Sequence, residues 1–231
     1  MISIELVSLI PLGVLGAVLG LDAVSFPQAM LSRPIVASTL SGALIGQAGR
    51  GLVMGVALEF FALESMPFGA SRYPEWGSAS VVGGFLFAQA ADGMAGAMTV
   101  AVLAALLTAS AGGASMVLLR RANALGVRKQ QAQSAQGSRN AVLALQLGGM
   151  TADLVRGGLL TFLALVVFVP LQRAVTATVT MAPTVSRAGV VAIASAVGLA
   201  AVWKVVHTTN GARWCLLGGL GVGFGIAASL Q

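Results

Sequence analysis

At 231 residues the chain is 57% hydrophobic and only 9% charged, against about 25% charged in an ordinary soluble domain, so it cannot cover a water-facing surface and reads as a membrane protein. Its net charge of +6 does not mark a nucleic-acid binder, because the basic residues are scattered between apolar stretches and no polar face with interleaved aromatics exists. One cysteine, Cys215, and one histidine, His207, exclude an intrachain disulfide and a zinc site; Ser, His and Asp form no hydrolase arrangement, and no cofactor is called for.

The apolar sequence suffices for roughly six or seven spans of about 20 residues. The expected fold is an all-α polytopic integral membrane protein, one membrane domain over 1–231. Its expected parts are 1–93 with broken or re-entrant helices, a basic cytoplasmic loop at 120–139 and a helical part at 140–231.

In chain order, 2–20 is the first apolar segment and carries no small-residue cleavage site, so it is expected to stay in the membrane. A mixed stretch follows Leu21-Asp22, holding Ser25, Pro27, Gln28, Ser32 and Arg33. Ser32-Arg33-Pro34 reads as a helix start, since Ser can cap and Pro is tolerated in the first turn. The apolar segments 34–46 and 51–63 would each reach only about 20 Å at 1.5 Å per residue, short of the roughly 30 Å core. They are expected to form a re-entrant hairpin or broken helices, the alternative being one kinked span. Residues 64–76 form a polar loop with two prolines. Apolar segments 77–91 and 94–119 are separated by Asp92-Gly93.

Residues 120–139 contain Arg120, Arg121, Arg128, Lys129 and Arg139 and no acid, which places them in the cytoplasm. A partly apolar stretch, 140–154, is interrupted by Gln146, Gly148, Gly149 and Asp153. Spans at 157–171, 188–206 and 214–230 follow, flanked by Arg173, Arg187, Lys204 and Arg213, whose long side chains snorkel. Gly16/Gly20, Gly42/Gly46, Gly51/Gly55 and Gly219/Gly223 sit four apart and are read as helix-packing positions.

Glu59 stands out among the acids because apolar residues flank it on both sides. A mid-membrane charge costs about 2.5–3.5 kcal/mol on insertion scales, so a cation, a ligand or a wet cavity must offset it. A structural pair with Arg33 or Arg50 is the plainer reading. Asp22 and Gln28 flank the Pro-broken segment and either bind sugar hydroxyls or cap helix ends. Arg72, Glu75 and Asp92 are read as loop or interface residues, Asp153 and Arg156 as a pair on one helix face, and His207 as structural.

The stretch from Leu21-Asp22 to Trp76 resembles the IIC permease subunit of the mannose/fructose/sorbose type of bacterial phosphotransferase system. The residues that carry the resemblance are Leu21-Asp22, Gln28, Ser32-Arg33-Pro34, Gly42, Gly46, Gly51, Gly55, Leu58-Glu59, Pro67-Phe68-Gly69-Ala70 and Tyr73-Pro74-Glu75. The resemblance implies a transport subunit of a bacterial cytoplasmic (inner) membrane, not an enzyme. On this resemblance it is expected to bind and translocate a hexose-type sugar, which the soluble IIB subunit phosphorylates. It also implies a IID membrane partner, upstream IIA, HPr and enzyme I, and an oligomer of IIC–IID pairs. By matching position it points to Asp22, Gln28, Arg33, Glu59, Pro67, Phe68, Gly69 and Ala70 as sugar-path residues. A secondary transporter coupled through Glu59 and a non-transporting regulatory subunit are the competing readings.

Overall fold

The computed structural model describes residues 6–64, 73–91, 94–179 and 182–229. A 3-10 turn, Leu6–Leu9, leads into α1 (Ile10–Asp22). Next come α2 (Pro34–Ala43), α3 (Ala48–Glu64), α4 (Trp76–Gln89) and α5 (Ala97–Lys129). A short α6 (Gln131–Ala135) precedes α7 (Arg139–Thr176), α8 (Pro183–Val206) and α9 (Ala212–Ser229). The described residues form helices and no strand, so the chain is an all-α membrane protein. Among the described residues three helices, α5, α7 and α8, are long and apolar enough to cross a bilayer.

The helices begin where the sequence provides a start. Proline stands in the first turn of α1, α2 and α8, where its missing N–H would have no intrahelical partner anyway. Glu75 caps α4 and Ser138 caps α7 through their side chains. The pair α2 and α3 is the expected hairpin of short helices: α2 has 10 residues, about 15 Å at 1.5 Å each, and cannot span the core alone. Gly46, at φ +73°, supplies the left-handed turn between them.

Two expectations are corrected. Residues 120–139 are mostly helical, because α5 runs on through Arg120 and Arg121 to Lys129. This stretch has no proline and is rich in Ala, Gln and Arg, all strong helix formers, and Arg128 and Lys129 suit the negative end of the helix. The interrupted stretch 140–154 and the span after it are one 38-residue helix, α7; Gly148 and Gly149 do not break it.

At the centre lies α4, with every residue from Gly77 to Ala88 buried; a helix apolar all round belongs inside. Its small residues let neighbours close in. A β-carbon at Gly84 would meet the Ser38 backbone, and one at Gly83 would meet Ala105. Ser38 and Ser41 of α2 donate hydrogen bonds to the Ser80 and Val81 carbonyls (2.8 and 2.7 Å). Gly16 and Gly20 of α1 pack on Thr161 and Gly157 of α7, and Gly51 and Gly55 of α3 pack on Ser38 and Ile35 of α2. These pairs act as the four-residue spacing predicts. Gly219 and Gly223 do not: nothing lies within 4 Å of the position a β-carbon would take at either, so the α9 glycines pack against no described part of the chain.

The short helices end together. Gly20 of α1 meets Gly157 of α7, and Ser78 of α4 donates to the Gly157 carbonyl (3.3 Å). The Glu75 N–H donates to the Ala109 carbonyl of α5 (2.9 Å). Past this level α5 and α7 run on side by side.

Candidate functional site

Where the short helices stop, the chain between α1 and α2 crosses the end of the bundle as non-helical backbone. Asp22 holds it. Buried at 2% exposure, its carboxylate accepts the backbone N–H groups of Ala29 (2.7 Å) and Ser32 (2.8 Å). One side chain thereby satisfies two backbone donors that no helix satisfies and pins the loop to the end of α1.

This loop, residue 73 and the extensions of α5 and α7 enclose a cleft of about 610 Å³, within the roughly 300–1,000 Å³ range of small-molecule sites. Its walls carry Ser25, Gln28, Tyr73, Arg120, Asn123, Gln146 and Asp153. A smaller cavity of about 100 Å³ adjoins it, lined by Ser32, Arg33, Glu75 and Trp76. Ala23, Val24, Tyr73 and Met116 are common to both.

The polar groups of the cleft divide into held and free. The Ser25 hydroxyl donates to Asp153 Oδ2 (3.0 Å). Asp153 Oδ1 accepts from Arg156 Nε (3.0 Å), and Arg156 also donates to the Ser115 hydroxyl (3.3 Å). These contacts tie the α1–α2 loop to α7 and α7 to α5. Arg120 lies over the Tyr73 ring, 5.3 Å from its centroid, and donates to its hydroxyl (2.9 Å). That leaves the Tyr73 hydroxyl proton available. Gln28 donates to the Val24 carbonyl (3.1 Å), leaving its oxygen available. The amides of Asn123 and Gln146 hydrogen-bond to no described side chain or backbone group. Each amide offers both donors and an acceptor, a set suited to hydroxyl groups rather than to a charged ligand.

The residues singled out from sequence fall in different places. Gln28 lines the cleft and Arg33 the smaller cavity. Asp22 lies beneath the loop as its anchor. Glu59 pairs with Arg33 and also accepts the Ile35 N–H (3.2 Å) in the first turn of α2, so its carboxylate closes the start of α2 from across the hairpin. Of the two partners offered by the plainer reading, Arg33 is the one found. Pro67, Phe68, Gly69 and Ala70 lie outside the described residues, as do Arg72 and Asp92.

Glu75 keeps the loop position expected of it, as the non-helical residue before α4, and the structure adds a role. It is buried at 2% exposure, both its oxygens accept the Ser78 N–H (3.1 and 3.3 Å), and it faces the smaller cavity. The Asp153–Arg156 pair is present (2.9 Å). Its place in the cleft was not foreseen, nor were those of Ser25, Tyr73, Arg120, Asn123 and Gln146. The available signals were Gln146 and Asp153 interrupting apolar sequence.

Residues 6–231 match the family model described as the PTS system sorbose-specific IIC component. The chain belongs to the sorbose-specific IIC family. Among its relatives is the fructose permease IIC component of Bacillus subtilis (strain 168), 26% identical over 143 residues. The match covers 62% of this chain and 51% of that permease, so the chain aligns with about half of its relative's length. A solved structure described as "Structure of membrane protein" superposes with a TM-score of 0.74 at 17% identity. It covers 100% of this chain and 94% of that one, which shows the fold of this IIC family member and nothing about its substrate.

Proposed function

We propose that this IIC family member is the sugar-binding permease subunit of a phosphoenolpyruvate-dependent phosphotransferase system, and that the cleft between the α1–α2 loop, α5 and α7 holds a hexose-type sugar. The observation that carries this reading is the set of free polar groups in the cleft. Asn123, Gln146, Gln28 and Tyr73 present uncharged donors and acceptors, and the Arg120 guanidinium beside them adds further N–H donors, a mixed set that matches the hydroxyls of a polyol. A site built on such groups discriminates strongly, because an ill-matched ligand leaves them unpaired.

The cleft opens on the side of the basic residues. Arg33, Arg120, Arg121, Arg128, Lys129, Arg139, Lys204 and Arg213 belong to this end of the helices, while Arg50, Arg173 and Arg187 belong to the other. The positive-inside rule makes the cleft side cytoplasmic, in a bacterial inner membrane. From there a soluble IIB subunit phosphorylates the bound sugar, and a IID subunit completes the membrane unit as an oligomer of IIC–IID pairs. The chain moves the sugar, and its partners carry the phosphoryl group.

The test is uptake of labelled hexoses in cells that express the chain with IIA, IIB and IID, scored for phosphorylated product. Gln146→Leu and Asn123→Leu are expected to lower uptake at least tenfold at unchanged expression. Unmodified sugar accumulating without the soluble subunits would refute the reading and favour a secondary transporter.

A further inference from the structure

The arm formed by the extensions of α5 and α7 is longer than a membrane protein needs. With 33 residues, α5 is about 50 Å long at 1.5 Å per residue, roughly 20 Å more than a 30 Å hydrocarbon core. The 38 residues of α7 give a similar excess. The two extensions stay together: Gly126 of α5 lies against Leu145 of α7, and Gly149 of α7 against Asn123 of α5.

Two features of the arm's outer surface are independent of each other. Arg121, Arg128, Lys129 and Arg139 are exposed, and 120–139 contains no acid. Leu125, Val127, Val142 and Leu147 are also exposed, at 58%, 50%, 49% and 59%. A solvated basic arm has no use for such an apolar surface in water; an interface does. Anionic lipid is the other source of negative charge. The tip, however, stands roughly 20 Å beyond the hydrocarbon, past the headgroups by more than the roughly 8 Å screening length of physiological salt.

We infer that the α5–α7 arm is the docking site of a soluble protein with an acidic, partly apolar face, the phosphoryl-carrying partner of the permease. The inference rests on the permease reading for the partner's identity. It places that partner over the mouth of the cleft, because Arg120, Asn123 and Gln146 of the arm's base are also cleft residues. A phosphoryl donor bound to the arm is thus carried to the sugar without being drawn to the membrane as a whole.

The experiment uses the full chain in nanodiscs of uncharged phosphatidylcholine, with the purified soluble IIB subunit of its own system as probe. Binding of IIB and of labelled hexose are measured separately. Arg128→Glu, Lys129→Glu and Arg139→Glu combined are expected to weaken IIB binding at least tenfold, and Gln at the same three positions by less. Hexose binding is expected to stay unchanged in both. Raised salt is expected to weaken the wild type more than the Gln variant. IIB affinity unaffected by charge reversal would overturn the inference. So would an arm whose reversal abolishes only attachment to phosphatidylglycerol vesicles. A wild type that binds IIB through the arm but binds no hexose would uphold the arm and sink the permease reading.

Discussion

Asp153 is 3% exposed and the Arg156 side chain 9% exposed, so each charge depends on the other. Removing one partner of a buried pair leaves an uncompensated charge and costs about 3–5 kcal/mol, whereas apolar replacement of both is often near neutral. Asp153→Ala is therefore expected to lower the thermal midpoint of the detergent-purified chain sharply. Asp153→Leu with Arg156→Met is expected to recover most of the loss, read as a coupling energy in a double-mutant cycle. Additive losses would refute the pair as a unit. The sequence made this pair legible, because three-residue spacing on a helix brings side chains together. It did not reveal that Ser25, far away in the chain, joins the same carboxylate. The burial of Glu75 was hidden for a related reason: a loop carboxylate that caps a buried helix looks, in one dimension, like any acid in a proline-containing loop.

At the scale of helices, close backbone contact decides the packing, and glycine position separates structural from idle sites. A β-carbon at Gly51 would run into the Ser38 carbonyl oxygen, which is backbone and cannot swing aside. Gly51→Ala is expected to destabilise the chain by about 1–3 kcal/mol, the usual cost of overpacking. Gly219→Ala meets nothing and is expected to be neutral or stabilising by up to about 1 kcal/mol, since Ala is the better helix former. Thermal midpoints of the two variants check this, and equal losses would contradict it. The same i, i+4 spacing stood at both places in the sequence, which indicated that helices could approach there but not whether a neighbour exists within the chain. The short α2–α3 hairpin was legible from segment length. The continuation of α5 through 120–129 was not, because a cluster of arginines ends a hydrophobic segment without ending a helix.

For the molecule as a whole, the hydrophobic pattern was enough to place the chain in a bilayer, with broken helices near its start. The cleft was not legible, because it is assembled from residues 23–28, 73, 116–123 and 146–153, which only the packing of α1, α4, α5 and α7 brings together. In the sequence Asp22, Arg33 and Glu59 stand out, because their charges look expensive in an apolar chain. In the fold Asp22 accepts two backbone N–H groups, and Arg33 and Glu59 satisfy each other. The groups the cleft leaves free are mainly uncharged amides and a phenol, beside the Arg120 guanidinium, and uncharged polar groups cost little in sequence terms and so do not stand out.

The most direct test of the account places a reporter inside the cleft. Gln146→Cys, in a Cys215→Ser background that removes the single native thiol, is labelled with a water-soluble maleimide with and without hexose, beside Leu44→Cys at the opposite end of the α2 helix. The transported hexose is expected to slow labelling at Gln146→Cys severalfold and to leave Leu44→Cys unchanged. Equal labelling rates at Gln146→Cys, with and without a sugar that the same protein is shown to bind, would contradict the claim that this cleft holds the sugar.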